Sequence, residues 1–379
     1  MKWLYGILCL FFLILFHEFG HFLAAKLFGV KVESFSIGFG PILLHKTFKG
    51  TDYRLSLFPL GGYCGMKGEN DFRTAVEEHL PEIKAEKDSL YGVHPIKRAA
   101  IGFAGPLFNF IFAIIAYSLI NLIGYTYYTY SNKIILADEL YAEQFADEPS
   151  AAKLGGLHTG DLIIEINGKE ITDFSEIIEE ISVRPDEDIR VKVDRDGEIL
   201  LLNVHTQMDK SQGTGKLGVA ADTSIKLTKH TPKYNVFTAF GRGFLDTIDS
   251  LVLTIKSIGI LFKGIDVKNA VSGPARVTEM LGSTVKEGFA ASTKIGFISM
   301  FNLMAIISIS LFFMNLLPVP VLDGGLILIA LIETVFRKRL NPRIQYYVQF
   351  IGLAFIIFLF IIGTYSDISY FIKQGSMAK

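Results

Sequence analysis

Apolar and charged stretches alternate along this 379-residue chain in a pattern typical of a membrane protein. A helix needs roughly 20 apolar residues to cross a hydrocarbon core about 30 Å thick. Four runs are close to that length, at residues 3–28, 99–125, 295–317 and 346–362. The pattern therefore predicts an α-helical polytopic membrane protein with about four transmembrane helices.

The first apolar run is similar to the core of a signal peptide, because it follows Lys2 directly. It nevertheless continues to Phe28, and no small-residue cleavage site precedes His17. Its full length suits a spanning helix better than a cleaved signal. We therefore expect the run to be retained, with the N-terminus outside the cytoplasm.

Two segments between the first and second runs have the pattern of short strands. Residues 36–41 and 53–63 alternate in polarity or are punctuated by Gly and Pro, which indicates membrane-associated β-hairpins. Irregular backbone at membrane depth persists only where protein buries it or where it lines a wet cavity. An ordinary surface hairpin is the alternative interpretation.

A soluble α+β domain is predicted at residues 131–225. The segment 149–168 contains a short helix, a glycine turn, a strand and an Asn-Gly hairpin turn, and strands follow at 189–194 and 198–205. Its Gly-x-x-x-Gly-Asp-x-Ile-x-x-Ile-Asn-Gly run resembles that of PDZ domains of the rearranged bacterial form. PDZ domains bind extended peptides by adding a strand to a sheet. The alternative is a small β domain that serves only as a spacer.

After this domain, residues 236–262 show one apolar helical stripe that is interrupted by Arg242, Asp246, Asp249 and Lys256. This pattern indicates an amphipathic helix at the membrane surface. A crossing at this point would reverse the orientation of the next span. The predicted organisation therefore has four parts. Residues 1–130 form the N-terminal half of the membrane core, and residues 131–225 form the PDZ domain. Residues 226–290 form interfacial helices, and residues 291–379 form the C-terminal half of the core.

Composition and charge agree with this organisation. Half of the residues are hydrophobic, 32 are Phe, and the mean hydropathy is +0.39, which exceeds what a soluble core requires. A net charge of −1 gives no reason to expect a nucleic-acid partner. Lys and Arg are concentrated at 31–98 and 337–343, which predicts cytoplasmic loops. The acidic stretch 138–148 and the PDZ domain then lie on the outer side.

The first apolar run contains the motif His17-Glu18-Phe19-Gly20-His21. Helix positions i and i+4 share a face, so the two imidazoles can hold one metal ion while Glu18 reaches a water on it. Zinc lowers the pKa of such a water to about 7, and the Glu can accept its proton during attack on a peptide carbonyl. Satisfied core histidines are the alternative.

A third ligand is predicted far along the chain, because a catalytic zinc commonly has three protein ligands. The third apolar run leads into Asn315-Leu316-Leu317-Pro318-Val319-Pro320-Val321-Leu322-Asp323-Gly324-Gly325. An Asp in such apolar surroundings needs a partner, and zinc supplies one. The alternative is that Asp323 is only a helix N-cap.

These motifs, with the patch Ala104-Gly105-Pro106-Leu107-x-Asn109, resemble the site-2 protease family, in particular the bacterial regulator-of-sigma-E protease group. The resemblance covers nearly the whole chain. It implies Zn²⁺ as cofactor, His17, His21 and Asp323 as its ligands, and Glu18 as the base. It also implies that Asn315 helps to hold substrate. The family's membrane-reentrant β element, which offers an edge to unwound substrate, is matched at Gly38, Phe39, Gly40, Gly61 and Gly62.

The implied function is an intramembrane zinc metalloendopeptidase of the cell inner membrane, with its active site toward the cytoplasmic side. Its substrates would be single-pass membrane proteins, such as anti-sigma factor-like proteins or remnant signal peptides, after a first extracytoplasmic cut by an upstream site-1 protease. The best-known enterobacterial members carry two PDZ modules in tandem, whereas this chain shows one.

Two other classes of function are considered. A proteolytically silent membrane adaptor would use the PDZ domain alone, but a pure binding protein has no use for the base Glu18. A metal transporter is weaker still, because one buried acidic site is visible and the chain has no inverted repeat.

Overall fold

The computed structural model describes residues 2–145, 148–209, 213–260 and 273–377. The chain forms two compact units, and the second interrupts the first in sequence. The first unit consists of Met1–Ile123, Tyr234–Leu251 and Ser272–Lys379, and the second consists of Gly124–Lys233 and Val252–Val271.

The first unit begins with a long helix, a pair of long strands, a short helix and a second long helix. These are α1 (Lys2–Leu27), β1 (Val32–Phe48), β2 (Thr51–Met66), α2 (Glu69–Glu77) and α3 (Pro95–Ile123). The two strands contain both segments that the sequence predicts as hairpins. They pair antiparallel with each other and form one hairpin, whose last pair before the turn is Phe48 and Thr51. Segment 34–37 of β1 pairs with two parts of β2, residues 52–55 and 62–65.

The second unit contains short strands and helices. In chain order they are β3 (Thr126–Tyr130), β4 (Ile134–Leu136), α4 (Ala137–Leu140), a 3-10 turn (Ala142–Phe145), α5 (Ala151–Leu154), β5 (Leu162–Ile166), β6 (Lys169–Glu170), α6 (Phe174–Ser182), β7 (Asp188–Arg195), β8 (Glu198–His205), β9 (Gln207–Met208), β10 (Gly215–Lys216), β11 (Val219–Ala221) and β12 (Lys226–His230).

A four-stranded sheet with the order β6-β5-β7-β8 forms the centre of the second unit, and its apolar face packs with α6 around Ile163, Val191 and Ile177. The predicted Asn-Gly turn is present, because Asn167 and Gly168 have φ values of 51° and 88°. Asp196 and Gly197, between β7 and β8, have φ values of 53° and 90°. Such paired positive φ values define the hairpin turn whose twist matches that of the flanking strands. The α+β content and the turns agree with the prediction, while the assignment to the PDZ family stays a prediction.

Three strand pairs of the second unit, β3–β12, β4–β11 and β9–β10, have no counterpart among the predicted strands. The tyrosine-rich segment after the second apolar run forms β3, and β3 pairs with β12 near the end of the unit. Residues so far apart in sequence give no local signal of their pairing.

The described residues after the second unit form helices, in chain order α7 (Val236–Ile260), α8 (Pro274–Ala291), α9 (Thr293–Leu316), α10 (Asp323–Phe336) and α11 (Pro342–Met377). Helix α7 covers the predicted amphipathic stretch, whose last position, Phe262, lies outside the described residues.

Four helices in the described residues are long and apolar enough to cross a membrane, namely α1, α3, α9 and residues Pro342–Ile372 of α11. They coincide with the four predicted runs. Helix α7 is not among them, in agreement with its prediction as an amphipathic helix. The length and composition of these four helices indicate a multi-pass membrane protein.

Helix α3 is the centre of the first unit. Gly20 of α1 lies against Ala104, where a Cβ on the glycine would come within 2.4 Å of the Ala104 carbonyl oxygen. Ser308 of α9 donates a hydrogen bond to the Asn109 carbonyl oxygen at 2.9 Å. Arg98 donates to Glu333 of α10. Small residues permit such close helix approach inside a membrane, and α3 is thereby positioned beside α1 and α10.

Candidate metal centre

Three predicted ligands from two distant helices meet in the first unit. The Nε2 atoms of His17 and His21 lie 3.2 Å apart. An Asp323 oxygen lies 3.2 Å from the first nitrogen, and the other oxygen lies 3.3 Å from the second. The three residues form a group whose ligand atoms all lie within 4.8 Å of one another. The structure thus brings together the residues that the sequence predicts as metal ligands.

Helix α3 orients both imidazoles from one face. His21 donates from Nδ1 to the carbonyl oxygen of Ile101 at 2.8 Å, which leaves the Nε2 lone pair directed at the cluster. The side-chain amide of Asn109 lies 3.0 Å from Nδ1 of His17. Ile101, Gly105 and Asn109 are spaced four residues apart and therefore lie on one stripe of α3. The order of the contacts is reversed along α1, because the later residue, His21, meets Ile101 and the earlier one, His17, meets Asn109.

Gly105 makes room for this arrangement. A Cβ built there would lie 2.2 Å from His21 Nε2 and 2.8 Å from His17 Cε1. Real Cβ atoms do not approach other heavy atoms so closely, so any larger residue would displace an imidazole. A glycine at this position allows α3 to pack directly on the two rings.

The loop before α10 aims Asp323 at the histidines. Helix α9 ends at Leu316, Pro318 and Pro320 follow, and α10 begins at Asp323. A proline lacks the amide proton that an uninterrupted helix needs, so the chain turns here. Cβ atoms at Gly324 and Gly325 would come within 2.4 Å of the carbonyl oxygens of Leu317 and Val319, respectively. The glycines therefore let the loop fold back over the first turn of α10.

Asp323 is not the cap of that helix. Leu322 occupies the N-cap position, and no side chain makes a capping hydrogen bond there. The Asp323 carboxylate instead faces His17 and His21. The helix-cap interpretation of Asp323 is therefore wrong.

The donor set fits zinc. A tetrahedral zinc with bonds of about 2.0–2.1 Å separates its ligand atoms by roughly 3.3 Å, which matches the three spacings found here. Two neutral imidazoles and one carboxylate are ligands that catalytic zinc sites use, with a position left open for water or substrate. The space that Gly105 leaves and the acceptor on Ile101 meet the further requirement for oriented ligands.

Glu18 follows His17 on α1 and is half-buried. It does not belong to the three-residue group of possible ligands found among the described residues, and its role as base stays a prediction. A Cβ at Gly62 would lie 3.4 Å from Cγ of Glu18. The β2 segment that contains Gly62 therefore passes directly beside the predicted base.

The other predicted substrate-binding residues of the sheet lie close to Gly62. Gly38 and Gly40 both have φ of 87°, a conformation that glycine adopts without strain. Phe39 covers Gly61, where a Cβ would lie 1.9 Å from its ring, and stacks on Tyr63 with ring centroids 6.2 Å apart. These residues therefore form one folded corner of the sheet.

Asn315 lies in the last turn of α9 and is half-buried. Its side chain makes no hydrogen bond to another residue in the described part of the chain, so the amide is available to a ligand.

A cavity of about 620 Å³ opens beside Asp323. Its walls come from the loop before α10, from the start of α10 and from α11, and the residues are Pro320, Val321, Leu322, Asp323, Leu326, Tyr346, Gln349, Phe350 and Leu353. Mostly apolar walls with a few polar groups are typical of ligand sites.

The sequence gives no signal for Ile101, and Gly105 and Asn109 stand there only as members of the patch that resembles the site-2 protease family. The spacing of Gly105 and Asn109, four residues apart in an apolar helix, was the available signal. It shows that they share a face, but only the packing of α3 on α1 shows which face meets the histidines.

Comparison with known proteins agrees with the geometry. Residues 5–359 match the profile of Peptidase family M50. A protein of Treponema pallidum (strain Nichols), named as a zinc metalloprotease, is 32% identical over 98% of this chain and 99% of its own length. A similarly named protein of Campylobacter jejuni is 36% identical over 99% of this chain and 95% of its own length. One from Helicobacter pylori is 30% identical, with 96% and 98% covered.

Proposed function

Since the chain belongs to peptidase family M50, the zinc-dependent site-2 protease family, we propose that it is an intramembrane metalloendopeptidase. Its substrates are single-pass membrane proteins, which it cuts in or near the transmembrane segment. The observation that carries the proposal is the cluster of His17, His21 and Asp323, whose spacings fit zinc. Two of its members lie on α1, one of the four candidate spans.

The residues around the cluster have distinct roles in the proposed reaction. Zinc, when bound, supplies Lewis acidity that polarises the scissile carbonyl. Glu18 accepts a proton from the attacking water and later transfers it to the leaving amine, so the same carboxylate serves as base and then as acid. The amide of Asn315, which has no hydrogen-bond partner within the described part of the chain, can hold the substrate backbone.

The sheet beside Glu18 explains how a helical substrate could be cut. A helix hides its carbonyl groups in its own hydrogen bonds, so the substrate must unwind before attack. Segment 62–66 of β2 pairs with 32–37 of β1, and in the described residues no other strand covers its second edge. An extended peptide can pair with such an edge. Because Gly62 adjoins Glu18, a peptide held there would lie near the base.

The predicted PDZ domain governs admission in this proposal. It lies on the outer side, whereas the active site lies toward the cytoplasmic side of the inner membrane. It excludes substrates whose outer domain is bulky, so that an upstream protease must trim them first. A substrate held in the same membrane already has a high effective concentration and gains little from a second weak tether. Exclusion therefore fits better than capture of the new C-terminus.

The proposed activity is tested with purified protein and a trimmed single-pass substrate in lipid. We expect about one zinc per chain and cleavage within or near the substrate span. The variant Glu18→Gln should retain zinc and lose about 100- to 10,000-fold in rate, because it removes acid–base catalysis while the ligands remain. Full cleavage by this variant, or a wild-type chain that binds peptide without cutting it, would contradict the proposal and favour an adaptor.

The role of the PDZ domain is tested by deleting residues 131–225 and comparing a long and a trimmed form of one substrate. Equal membrane insertion of both enzymes is the control. Exclusion predicts that the deletion spares cleavage of the trimmed form and permits cleavage of the long form. Slower cleavage of the trimmed form, with the long form still intact, would instead support capture.

A further inference from the structure

His17 and His21 are oriented by different kinds of group on α3. His21 uses a backbone acceptor, the carbonyl oxygen of Ile101, at 2.8 Å from its Nδ1 atom. His17 has instead a side chain, the amide of Asn109, whose Nδ2 lies 3.0 Å from its Nδ1 atom. Backbone acceptors are supplied by any residue, whereas a side-chain acceptor depends on the identity of residue 109.

The amide of Asn109 is fully buried and only half satisfied. Its Nδ2 faces His17, while its Oδ1 is buried without a hydrogen-bond partner among the described residues. The nitrogen and oxygen of a carboxamide exchange places by a half-turn about the last side-chain bond. That half-turn places Oδ1 against Nδ1 of His17 without moving any other atom.

The chemistry of a metal ligand requires this second orientation. His17 reaches the cluster through Nε2, so Nε2 must present its lone pair and the proton of the neutral ring must be on Nδ1. An N–H at Nδ1 needs an acceptor, and after the half-turn the Asn109 oxygen occupies the position 3.0 Å from Nδ1 at which Nδ2 is placed here. An amide nitrogen at the same place would favour the opposite tautomer, in which Nε2 carries the proton and cannot bind metal.

We propose that Asn109 is a positioning residue for the zinc site: its Oδ1 accepts the proton of His17 Nδ1 and holds the tautomer that binds metal through Nε2. The inference rests on the proposed zinc centre and adds a residue outside the ligand set. Asn109 has a second contact, because its backbone carbonyl oxygen accepts a hydrogen bond from Ser308 of α9. That bond fixes the turn of α3 that carries the amide.

The test is zinc affinity, measured by competition with a chromophoric chelator on purified full-length protein. Asn109→Leu keeps the number and branching of the side-chain heavy atoms but has no acceptor, and should weaken zinc binding about 10- to 100-fold, as outer-shell substitutions do. Asn109→Asp keeps an acceptor and should restore affinity to near the wild-type value. The matched control is Asn121→Leu on the same helix, whose amide contacts Asp246 instead and which should bind zinc like the wild type.

A measurement on the unaltered chain makes the test independent of how the variants fold. Nitrogen NMR of ¹⁵N-histidine-labelled, zinc-loaded protein should show His17 bound through Nε2 with a protonated, hydrogen-bonded Nδ1. Binding through Nδ1, or equal zinc affinities of wild type and Asn109→Leu, would overturn the inference while leaving the zinc centre intact. A wild-type chain that binds no zinc would instead defeat the proposed function.

Discussion

Nε2 of His17 lies 3.2 Å from a carboxylate oxygen of Asp323, although the two residues belong to opposite ends of the chain. The contact joins α1 to the start of α10 and completes a set of three donors around one point. Neither helix holds a metal site alone, because His17 and His21 supply only two ligands. The centre therefore depends on how α3 packs between the two helices.

The first prediction concerns Asp323. Replacement by Ala removes one of three ligands, so zinc affinity should fall by more than the roughly 10- to 100-fold typical of an outer-shell residue. Metal analysis after dialysis against a chelator measures the loss. Asp323 accepts no capping hydrogen bond, so the helix should remain. Normal zinc content together with full activity would contradict its role as a ligand.

The second prediction concerns the space beside the histidines. Gly105→Ala places a Cβ 2.2 Å from His21 Nε2, so the imidazole must move and zinc affinity should fall at least about 10-fold. Gly102→Ala is the matched control one turn earlier, because its Cβ would meet the side-chain atom Cγ1 of Ile327 at 3.2 Å. We expect the control to retain zinc. Equal zinc binding by both variants would show that the close contact is not needed.

The third prediction concerns a buried ion pair between α3 and α10. Arg98 donates to Glu333, and both side chains are almost fully buried. The other Glu333 oxygen accepts from the Leu340 amide and from Gln345, at 2.9 Å and 3.2 Å. Removing one partner of such a pair leaves an uncompensated charge and costs about 3–5 kcal/mol.

We therefore expect Arg98→Met and Glu333→Gln to lower the thermal unfolding temperature in detergent strongly. The double variant should recover most of the loss, because neither charge remains and Gln can still accept from the Leu340 amide. Arg73→Met, which breaks an exposed pair with Glu77, is the control and should have little effect. Additive losses in the double variant would show that the two residues act separately.

The fourth prediction concerns pH and the second unit. Burial alone would raise the pKa of Asp161, but the hydrogen bonds and charge of Arg195 outweigh it and hold the pKa below its usual value. Arg195 donates to both Asp161 oxygens, at 2.7 Å and 2.8 Å. A carboxyl group whose folded pKa is lowered stabilises the fold above its unfolded pKa of about 3.9, and this contribution is lost as pH falls through the folded pKa.

Asp161→Asn should therefore destabilise the second unit by about 2 kcal/mol at pH 7, and the difference from wild type should shrink below about pH 4. Hydrogen exchange of the sheet amides in the full chain measures this. Glu165→Gln, which removes a longer and more exposed contact with Lys192 at 3.7 Å, is the matched control. A difference that stays constant from pH 7 to pH 3 would exclude the ion pair as its source.

The fifth prediction concerns topology. A reporter fused after Arg339 should be cytoplasmic, and one inserted in the exposed turn at Asp196-Gly197 should be extracytoplasmic, because basic loops are retained inside. Insertion in a hairpin turn leaves the strand pairing intact, so the domain should still fold. If both reporters lie on the same side, α7 crosses the membrane and the predicted orientation is wrong.

Local features of this protein were readable from sequence because they depend on residues close together in the chain. The four apolar helices follow from long, mainly apolar runs, and the shared face of His17 and His21 follows from the geometry of one helical turn. The turns at Asn167-Gly168 and Asp196-Gly197 follow from the conformational preference of two residues each. The motif around Asp323 named a third ligand, and its role at the metal stays a prediction.

Tertiary structure alone decided which groups surround those ligands. Ile101, Gly105 and Asn109 lie on a largely apolar helix, so polarity alone does not mark the face that meets α1. The pairing of β3 with β12 and the contact of Arg98 with Glu333 join residues that are far apart in the sequence. The chain between them does not indicate which residues will meet. Such contacts are selected by the packing of whole elements, in which a glycine or a buried amide matters only once its neighbour from another helix is in place.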